Sequence, residues 1–302
     1  MGHQINRNSS SFKKVVVIGL GQLGFPVAKY AKSKGFDVFG YDINAFAMEQ
    51  AENELGIKRI TTFEDIDVFI VCVSTHKSDD MFSPQVEGIF SVVHKISKEA
   101  KKDSLLSIES TVPKGTSKKV SEFLEHKVHV VHAPHRWYSQ EENIHGVNQP
   151  RVIGGVSNCC LEMGMNFYSS IKHGNQNSPT FKSLEIPMCA VSSIEVAELT
   201  KIIENADRYL QIAFAEDLYL YCRANGIDFS ELRNALNTKW NVNILEPRGG
   251  IGGHCVPKDT KMFLDSSSNI KSKILLSALE VDQDYRNHLS LKNKQYETNT
   301  VQ

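Results

Sequence analysis

The 302-residue chain has no apolar run near the roughly 20 residues that a membrane helix needs. Its first residues, 1–11, are polar and serine-rich, unlike a secretory leader, and read as part of a flexible tail, 1–12. No charge of one sign dominates: 34 Lys and Arg against 35 Asp and Glu give a formal charge of -1, so no global field draws in nucleic acid or an anionic membrane. Any anionic ligand must be held by local groups. None of the six cysteines forms a C-x-x-C pair, and their spacing gives no disulfide framework. Free thiols in a reducing, cytoplasmic compartment fit that pattern. Five of them, Cys72, Cys159, Cys160, Cys189 and Cys222, sit in apolar or helical surroundings and read as small buried hydrophobes. There is no internal repeat and no low-complexity tract.

What is present is ordinary for a globular protein, 41% hydrophobic and 23% charged, with length enough for two domains. Short apolar runs at 15–18, 38–42, 68–73, 105–109 and 128–132 read as buried strands. Helical stretches alternate with them, at 22–34, 45–54, 89–101 and 116–126, the last capped by Thr116. Residues 152–155, a helix at 161–171 and a strand at 183–186 extend the series. This alternation predicts α/β architecture, a doubly wound Rossmann-type parallel sheet over 13–187. After Pro187 the pattern becomes helical. Ser192, Ser193, Ile194 and Glu195 form a capping-box arrangement that opens one long helix to about residue 225. Helices at 229–236 and 271–286 complete a second, central helical domain, 188–290, and 291–302 reads as a frayed tail.

Two motifs carry chemistry. Gly19, Gly21 and Gly24, with Gln22 and Leu23 between them, lie between a strand and a helix, as a dinucleotide fingerprint requires. The first glycine turns the chain, the second admits the pyrophosphate to the helix N-terminus, and the third allows close helix–strand packing. Asp42, at the end of the next strand, is placed to accept from the adenine-ribose hydroxyls and repels a 2′-phosphate, which favours NAD over NADP. Val73, Ser74 and Thr75 leave the following strand at the same sheet edge and join the expected NAD contacts.

The second motif sets Cys255 in a glycine-rich loop, Gly252-Gly253-His254-Cys255-Val256-Pro257-Lys258-Asp259, with Gly250 before it. Thiolate is the reactive form of cysteine, and a nearby cation favours it. On the long helix, Glu198, Lys201, Asn205 and Arg208 repeat at steps of three and four and share one stripe. That stripe reads either as a solvated face or as a cleft wall, with Lys201 as oxyanion partner and Asn205 as donor. Thr111 leaves a strand's C-terminal end. It positions water or the nicotinamide, or serves only as helix-entry turn chemistry. His126, His129, His132 and His135 recur every third residue, but a three-residue step in a strand alternates faces, so no metal site is assigned. His135, after Pro134, is the one expected to reach a cleft.

Together these pieces resemble the UDP-glucose/GDP-mannose (nucleotide-sugar) dehydrogenase family from Lys14 to about Arg286. The resemblance rests on the fingerprint, the run Ser110-Thr111-Val112-Pro113, the run Pro150-Arg151-Val152-Ile153-Gly154-Gly155, the helix around Lys201 and Asn205, and the Cys255 loop. It implies a Rossmann NAD domain and a helical domain that dimerises through its long helix. The family's third domain, which holds the substrate nucleotide, is expected to be missing after these two. It implies four-electron oxidation of a sugar primary alcohol to a uronic acid, with two NAD, of the kind that serves polysaccharide biosynthesis. Cys255 would form a thiohemiacetal and then a thioester; Lys201 and Asn205 would hold the oxyanion. Thr111, Lys201 and Asp259 would hold water, and Asp259 would otherwise orient Lys201. Arg136, Arg208, Gly250, Gly252 and Gly253 would contact the sugar or nucleotide-sugar. Where the family has a glutamate associated with thioester hydrolysis, this chain has His135, and Glu141 or Glu142 is the alternative base. A two-electron 3-hydroxyacid-type dehydrogenase and a silent NAD-binding scaffold are the other readings left open.

Overall fold

The computed structural model describes residues 12–76, 84–138, 141–169, 182–266 and 270–299, with side chains as far as 291. The described residues fall into two compact units. The first comprises Met1–Thr75 with Gln85–Lys201, and the second His76–Pro84 with Ile202–Gln302.

In the first unit, strands β1 (Lys14–Ile18), β2 (Asp37–Tyr41), β3 (Lys58–Arg59), β4 (Val68–Val71), β5 (Leu105–Ile108), β6 (His129–His132), β7 (Arg151–Gly155) and β8 (Met188–Ala190) form one sheet. Their order is β3-β2-β1-β4-β5-β6-β7-β8. Helices α1 (Gly24–Ser33), α2 (Ala45–Leu55), α3 (Glu87–Glu99), α4 (Thr116–Phe123) and α5 (Asn158–Tyr168) cover it. Alternation along each strand builds both faces. Val15 and Val17 pack with α1, α2 and α5, while Val16 and Ile18 pack with α3 and α4. The doubly wound Rossmann architecture read from the sequence is therefore present. Strand order reverses between β1 and β4, which makes the carboxyl ends of those two strands the ligand-binding edge.

Several local readings change. The sheet is not wholly parallel: β7 runs antiparallel to β6, pairing Val131 with Gly155 and His132 with Gly154. The described residues between the two strands form no crossover helix, in keeping with the reversal of the next strand. The strand expected at 183–186 lies instead at β8, beyond Pro187. The expected stretch gives its Leu184 and Ile186 amides to Phe167 and Tyr168 at the end of α5. Helix α5 starts before the expected 161, because Ser157 caps it by accepting from the Cys160 amide; the expected end at 171 is outside the described residues. Thr116 does not cap α4. Gly115 occupies that position with φ +86°, and the Thr116 hydroxyl donates to Pro113 O. Residue 12, placed in the tail by sequence, is a core residue: the Phe12 ring packs edge-on against Phe167.

Helix α6 (Ile194–Ala224) is the long helix. Its cap is Ser193, whose hydroxyl accepts from the Val196 amide at 3.3 Å. The second unit adds α7 (Phe229–Leu236), α8 (Cys255–Asp265) and α9 (Lys273–Asn299). Asp228 caps α7 by accepting from Glu231 N at 2.7 Å. Helix α9 continues past the expected end at Arg286 to Asn299, so the segment read as a frayed tail begins as helix. A small core of Tyr209, Ala213, Ile251 and Ala278 joins α6, α9 and the loop before α8. Among the described residues, no helix is long and apolar enough to cross a membrane.

Candidate active site

The glycine loop after β1 has the form that a pyrophosphate needs. Gly19 has φ +85°, and a Cβ there would come within 2.7 Å of Cys72 O. A Cβ on Gly24 would overlap Gly19 O at 1.7 Å, whereas one on Gly21 would meet nothing within 4 Å. The first and third glycines are thus required by packing, and the second faces open space where a ligand can approach. Gln22 is exposed and Leu23 half-buried at the start of α1. Asp42 directly follows β2; its two oxygens accept from Leu20 N at 2.6 Å and Asn44 N at 2.7 Å. Those bonds lock the carboxylate to the loop and still leave lone pairs for ribose hydroxyls. Val73 O accepts from Ser110 Oγ at 2.7 Å, which ties the ends of β4 and β5 together; Thr75 is buried and Ser74 exposed. Thr111 is half-buried at the same edge.

A charged network that sequence reasoning did not find lies at the end of β5. Glu109 is fully buried. One oxygen accepts from Tyr168 Oη, whose own hydroxyl is 2.6 Å from Ser107 Oγ. The other contacts His135 Nε2 and lies 3.3 Å from Arg151 Nη1. Burial pushes Glu109 up, but Arg151 and His135 oppose it and hold its pKa at about 2. A carboxylate only accepts, so His135 Nε2 carries the proton and donates to it. In that tautomer the 2.9 Å approach of Arg151 Nη1 to Nε2 is a contact and not a bond; the guanidinium is compensated by Glu109. Nδ1 is then a bare acceptor, buried and without a hydrogen-bond partner among the described residues. Burial and the Arg151 charge lower His135 to about 4, so the ring is neutral at pH 7. His135 is itself buried, 5% exposed. Neither alternative base is comparable. Glu141 and Glu142 are exposed, and Glu141 pairs with His145 at 3.4 Å. Arg136 donates to Pro150 O at 3.1 Å.

The polar stripe on α6 divides by role. Glu198 lies neither on a solvated face nor in a cleft wall. It is fully buried and accepts from Gly115 N at 2.6 Å and Ser117 N at 2.7 Å. Gly115 supplies no side chain, so Glu198 provides the missing cap at the positive end of α4. Lys201 and Asn205 are half-buried, and Arg208 is exposed, donating to Gln211 Oε1 at 3.3 Å.

In the second unit Cys255 is the first residue of α8 and not part of a free loop. Pro257 is tolerated there because first-turn amides need no helical acceptor. The thiol is exposed, its Sγ 3.5 Å from His254 Nδ1, while His254 Nε2 faces His76 Nδ1 at 2.9 Å. Two of the buried-hydrophobe cysteines also turn out exposed, Cys159 and Cys189; Cys72, Cys160 and Cys222 are buried. Asp259 is almost fully buried: one oxygen accepts from Lys258 Nζ at 2.7 Å and the other from Asn205 Nδ2. The cation next to the thiol in sequence is therefore committed to an ion pair one turn inside the helix. Gly250 has φ +92° and Gly253 +72°; Gly252 is exposed. A Cβ on Gly250 would come within 2.7 Å of the Arg286 guanidinium, which donates to Ile251 O at 2.6 Å. Asp282 accepts from Ile251 N at 2.7 Å and from Arg286 Nε at 2.9 Å. Tyr285 Oη donates to Arg248 O at 2.8 Å. Helix α9 thus clamps the loop that leads to Cys255. Acid, arginine and tyrosine on one face near the end of the matched sequence were the available signal.

Two sequence profiles match the chain, the NAD binding domain of the UDP-glucose/GDP-mannose dehydrogenase family over 47–172 and its central domain over 195–284. The chain belongs to that family. NAD is the cofactor of its first domain, in keeping with the glycine loop and Asp42. The UDP-N-acetyl-D-mannosamine dehydrogenase of Campylobacter jejuni is 29% identical over 94% of this chain and 75% of its own length. The enzyme of that name from Methanococcus maripaludis is 30% identical over 86% of this chain and 63% of its own length. The structure of UDP-D-ManNAc dehydrogenase from Pyrococcus horikoshii superposes with a TM-score of 0.79 at 25% identity, covering 95% of this chain and 72% of that one.

Proposed function

We propose that this protein oxidises the primary alcohol of a UDP-N-acetylhexosamine to the carboxylate, with two NAD reduced per acid formed. Support for the substrate comes from the relatives named UDP-N-acetyl-D-mannosamine dehydrogenase. Support for the chemistry comes chiefly from Cys255, an exposed thiol at a helix N-terminus in a chain that carries an NAD binding domain. A helix start favours negative charge, and that favours the thiolate.

Bound NAD supplies the hydride acceptor for both oxidation steps. The protein's part is the handling of the carbonyl. The Cys255 thiolate adds to the aldehyde carbon to give a thiohemiacetal, whose oxidation leaves a thioester. Lys201 and the second N–H of Asn205 stabilise the oxyanion. Water then cleaves the thioester and returns the thiol. In this reading, Nδ1 of His135 takes the proton of that water, in place of the glutamate that the resemblance leads one to expect. Glu109 fixes the tautomer that leaves Nδ1 bare. Thr111, Lys201 and Asp259 hold water, while Arg136, Arg208, Gly250, Gly252 and Gly253 contact the nucleotide-sugar. The remaining NAD contacts are Gly19, Gly21, Gln22, Leu23, Gly24, Asp42, Val73, Ser74 and Thr75.

Homodimerisation through α6 is part of the same proposal. Ile203, Phe214 and Tyr221 are all exposed and fall at steps of 11 and 7, close to whole helical turns. They form one apolar stripe of the kind that a second copy covers.

The test is NADH formation with UDP-N-acetyl-D-mannosamine, with Cys255→Ala as control. Two NADH per carboxylate in the parent, and none of the acid in the variant, is the expected result. One NADH per turnover, unchanged in the variant, would leave only a two-electron dehydrogenase.

A further inference from the structure

Helix α5 begins with two adjacent cysteines whose surroundings have no part in the proposed oxidation. Cys159 and Cys160 occupy the second and third positions of its first turn, after the cap Ser157. Both sulfurs lie 3.1 Å from Ser157 Oγ, so both point to the same side of the helix start. His129, the first residue of β6, faces them, with Nδ1 3.6 Å from Cys160 Sγ. The two sulfurs and a ring nitrogen of His129 all lie within 4.8 Å of one another.

The Cys160–His129 spacing matches one edge of a metal tetrahedron, and the other separations are short enough for side-chain rotation to close them. With zinc–sulfur bonds of about 2.3 Å and zinc–nitrogen bonds of about 2.0 Å, ligand–ligand edges come to about 3.5 Å for S···N and about 3.8 Å for S···S. The observed 3.6 Å already equals the first edge within error of a side-chain rotation. Two thiolates and a neutral imidazole neutralise a divalent ion, and the helix N-terminus favours the thiolate charge. Cys160 is buried and Cys159 exposed, so the fourth position opens outward and would hold water. Of the four histidines spaced by three, only His129 joins the group: His135 belongs to Glu109, and His132 is buried elsewhere in the core.

We propose that His129, Cys159 and Cys160 form a three-ligand site for Zn²⁺, separate from the Cys255 chemistry. Binding forms two Zn–S bonds and one Zn–N bond and releases the two thiol protons to solvent. The ion would tie the start of β6 to the start of α5.

Titration of the reduced, full-length protein with Co²⁺ as spectroscopic stand-in tests this, followed by Zn²⁺ competition against a chromophoric chelator. The expected result is one equivalent, a thiolate-to-cobalt charge-transfer band displaced by Zn²⁺, and a rise in melting temperature with Zn²⁺. Band and melting shift should vanish in Cys159→Ser and in His129→Asn, and survive in Cys189→Ser and Cys255→Ala. Cys159 and His129 are not core positions, and a normal far-ultraviolet dichroism spectrum establishes that those variants fold. No thiolate band in the parent, or a band kept in Cys159→Ser and lost in Cys255→Ala, would overturn the assignment.

Discussion

Glu109 and Cys255 are the centres of two chemically opposite regions. Around Glu109 every charge is buried and answered: Arg151 compensates it, Tyr168 and His135 donate to it, and Ser107 completes the chain. Around Cys255 the sulfur is exposed, and only what lies beneath it is fixed, through Asp259 to Lys258 and Asn205 and through α9 to the loop. The first arrangement trades reactivity for a defined tautomer. The second keeps a sulfur accessible while holding its backbone. Buried ion networks are costly to break at one member, whereas an exposed thiol can be removed at little structural expense.

That contrast can be broken by substitution. Cys255→Ala should abolish acid formation, with kcat for the complete reaction down by about 10³-fold or more, while melting temperature and NAD affinity stay near the parent's. NADH stoichiometry and a thermal melt read the two effects separately. Glu109→Gln should do the reverse and lower stability by about 3–5 kcal/mol, because Arg151 is left uncompensated in the interior; urea unfolding measures it. Loss of stability with Cys255→Ala and none with Glu109→Gln would invert the comparison.

Acid should find the first region before the second. His132 and His135 are held near 3 and 4 by burial, below their ordinary 6.5. The unfolded chain therefore binds more protons, and the stability these rings contribute, full above pH 6.5, is lost as pH falls toward 4 and 3. Glu109, lowered from 4.5 to about 2, adds a loss in the same direction below pH 4.5. Melting temperature should fall steadily below pH 6.5, and His135→Gln should flatten part of that slope. The smallest effect is expected at Glu216, a fully buried carboxyl on α6 with neither oxygen hydrogen-bonded among the described residues. Burial, with Asp282 nearby, raises it to about 7. A raised acid favours the folded state below pH 4.5, and that advantage disappears as pH rises through 7. Glu216→Gln should therefore raise the melting temperature by a few degrees at pH 8 and hardly at all at pH 5.

The fold was legible wherever local pattern decides it. Apolar runs of four or five residues gave the strands, and glycine spacing gave the tight turn between β1 and α1. The long helix followed from its capping residues, and α7 lies at the expected 229–236. What stayed hidden depends on contacts far apart in the chain. Nothing local distinguishes Glu109, in the run Ile108-Glu109-Ser110, from a solvated strand end; its partners come from 26, 42 and 59 residues away. Glu198 looked like one step in a polar stripe because the amides it caps belong to another helix. Cys159 and Cys189 read as core by composition, although each sits near an element's end, where exposure follows the turn and not the residue type.

The reversal of β7 has a consequence for how charge reaches the working rim of the sheet. Parallel strands all arrive at that rim with their final residues, so whatever they deliver there must come last. A strand running the other way delivers its opening residue instead. Arg151 begins β7, three register steps past the pairing of His132 with Gly154. One change of direction thereby sets a guanidinium beside the terminus of β6, where a forward-running strand would have carried it to the far side of the molecule.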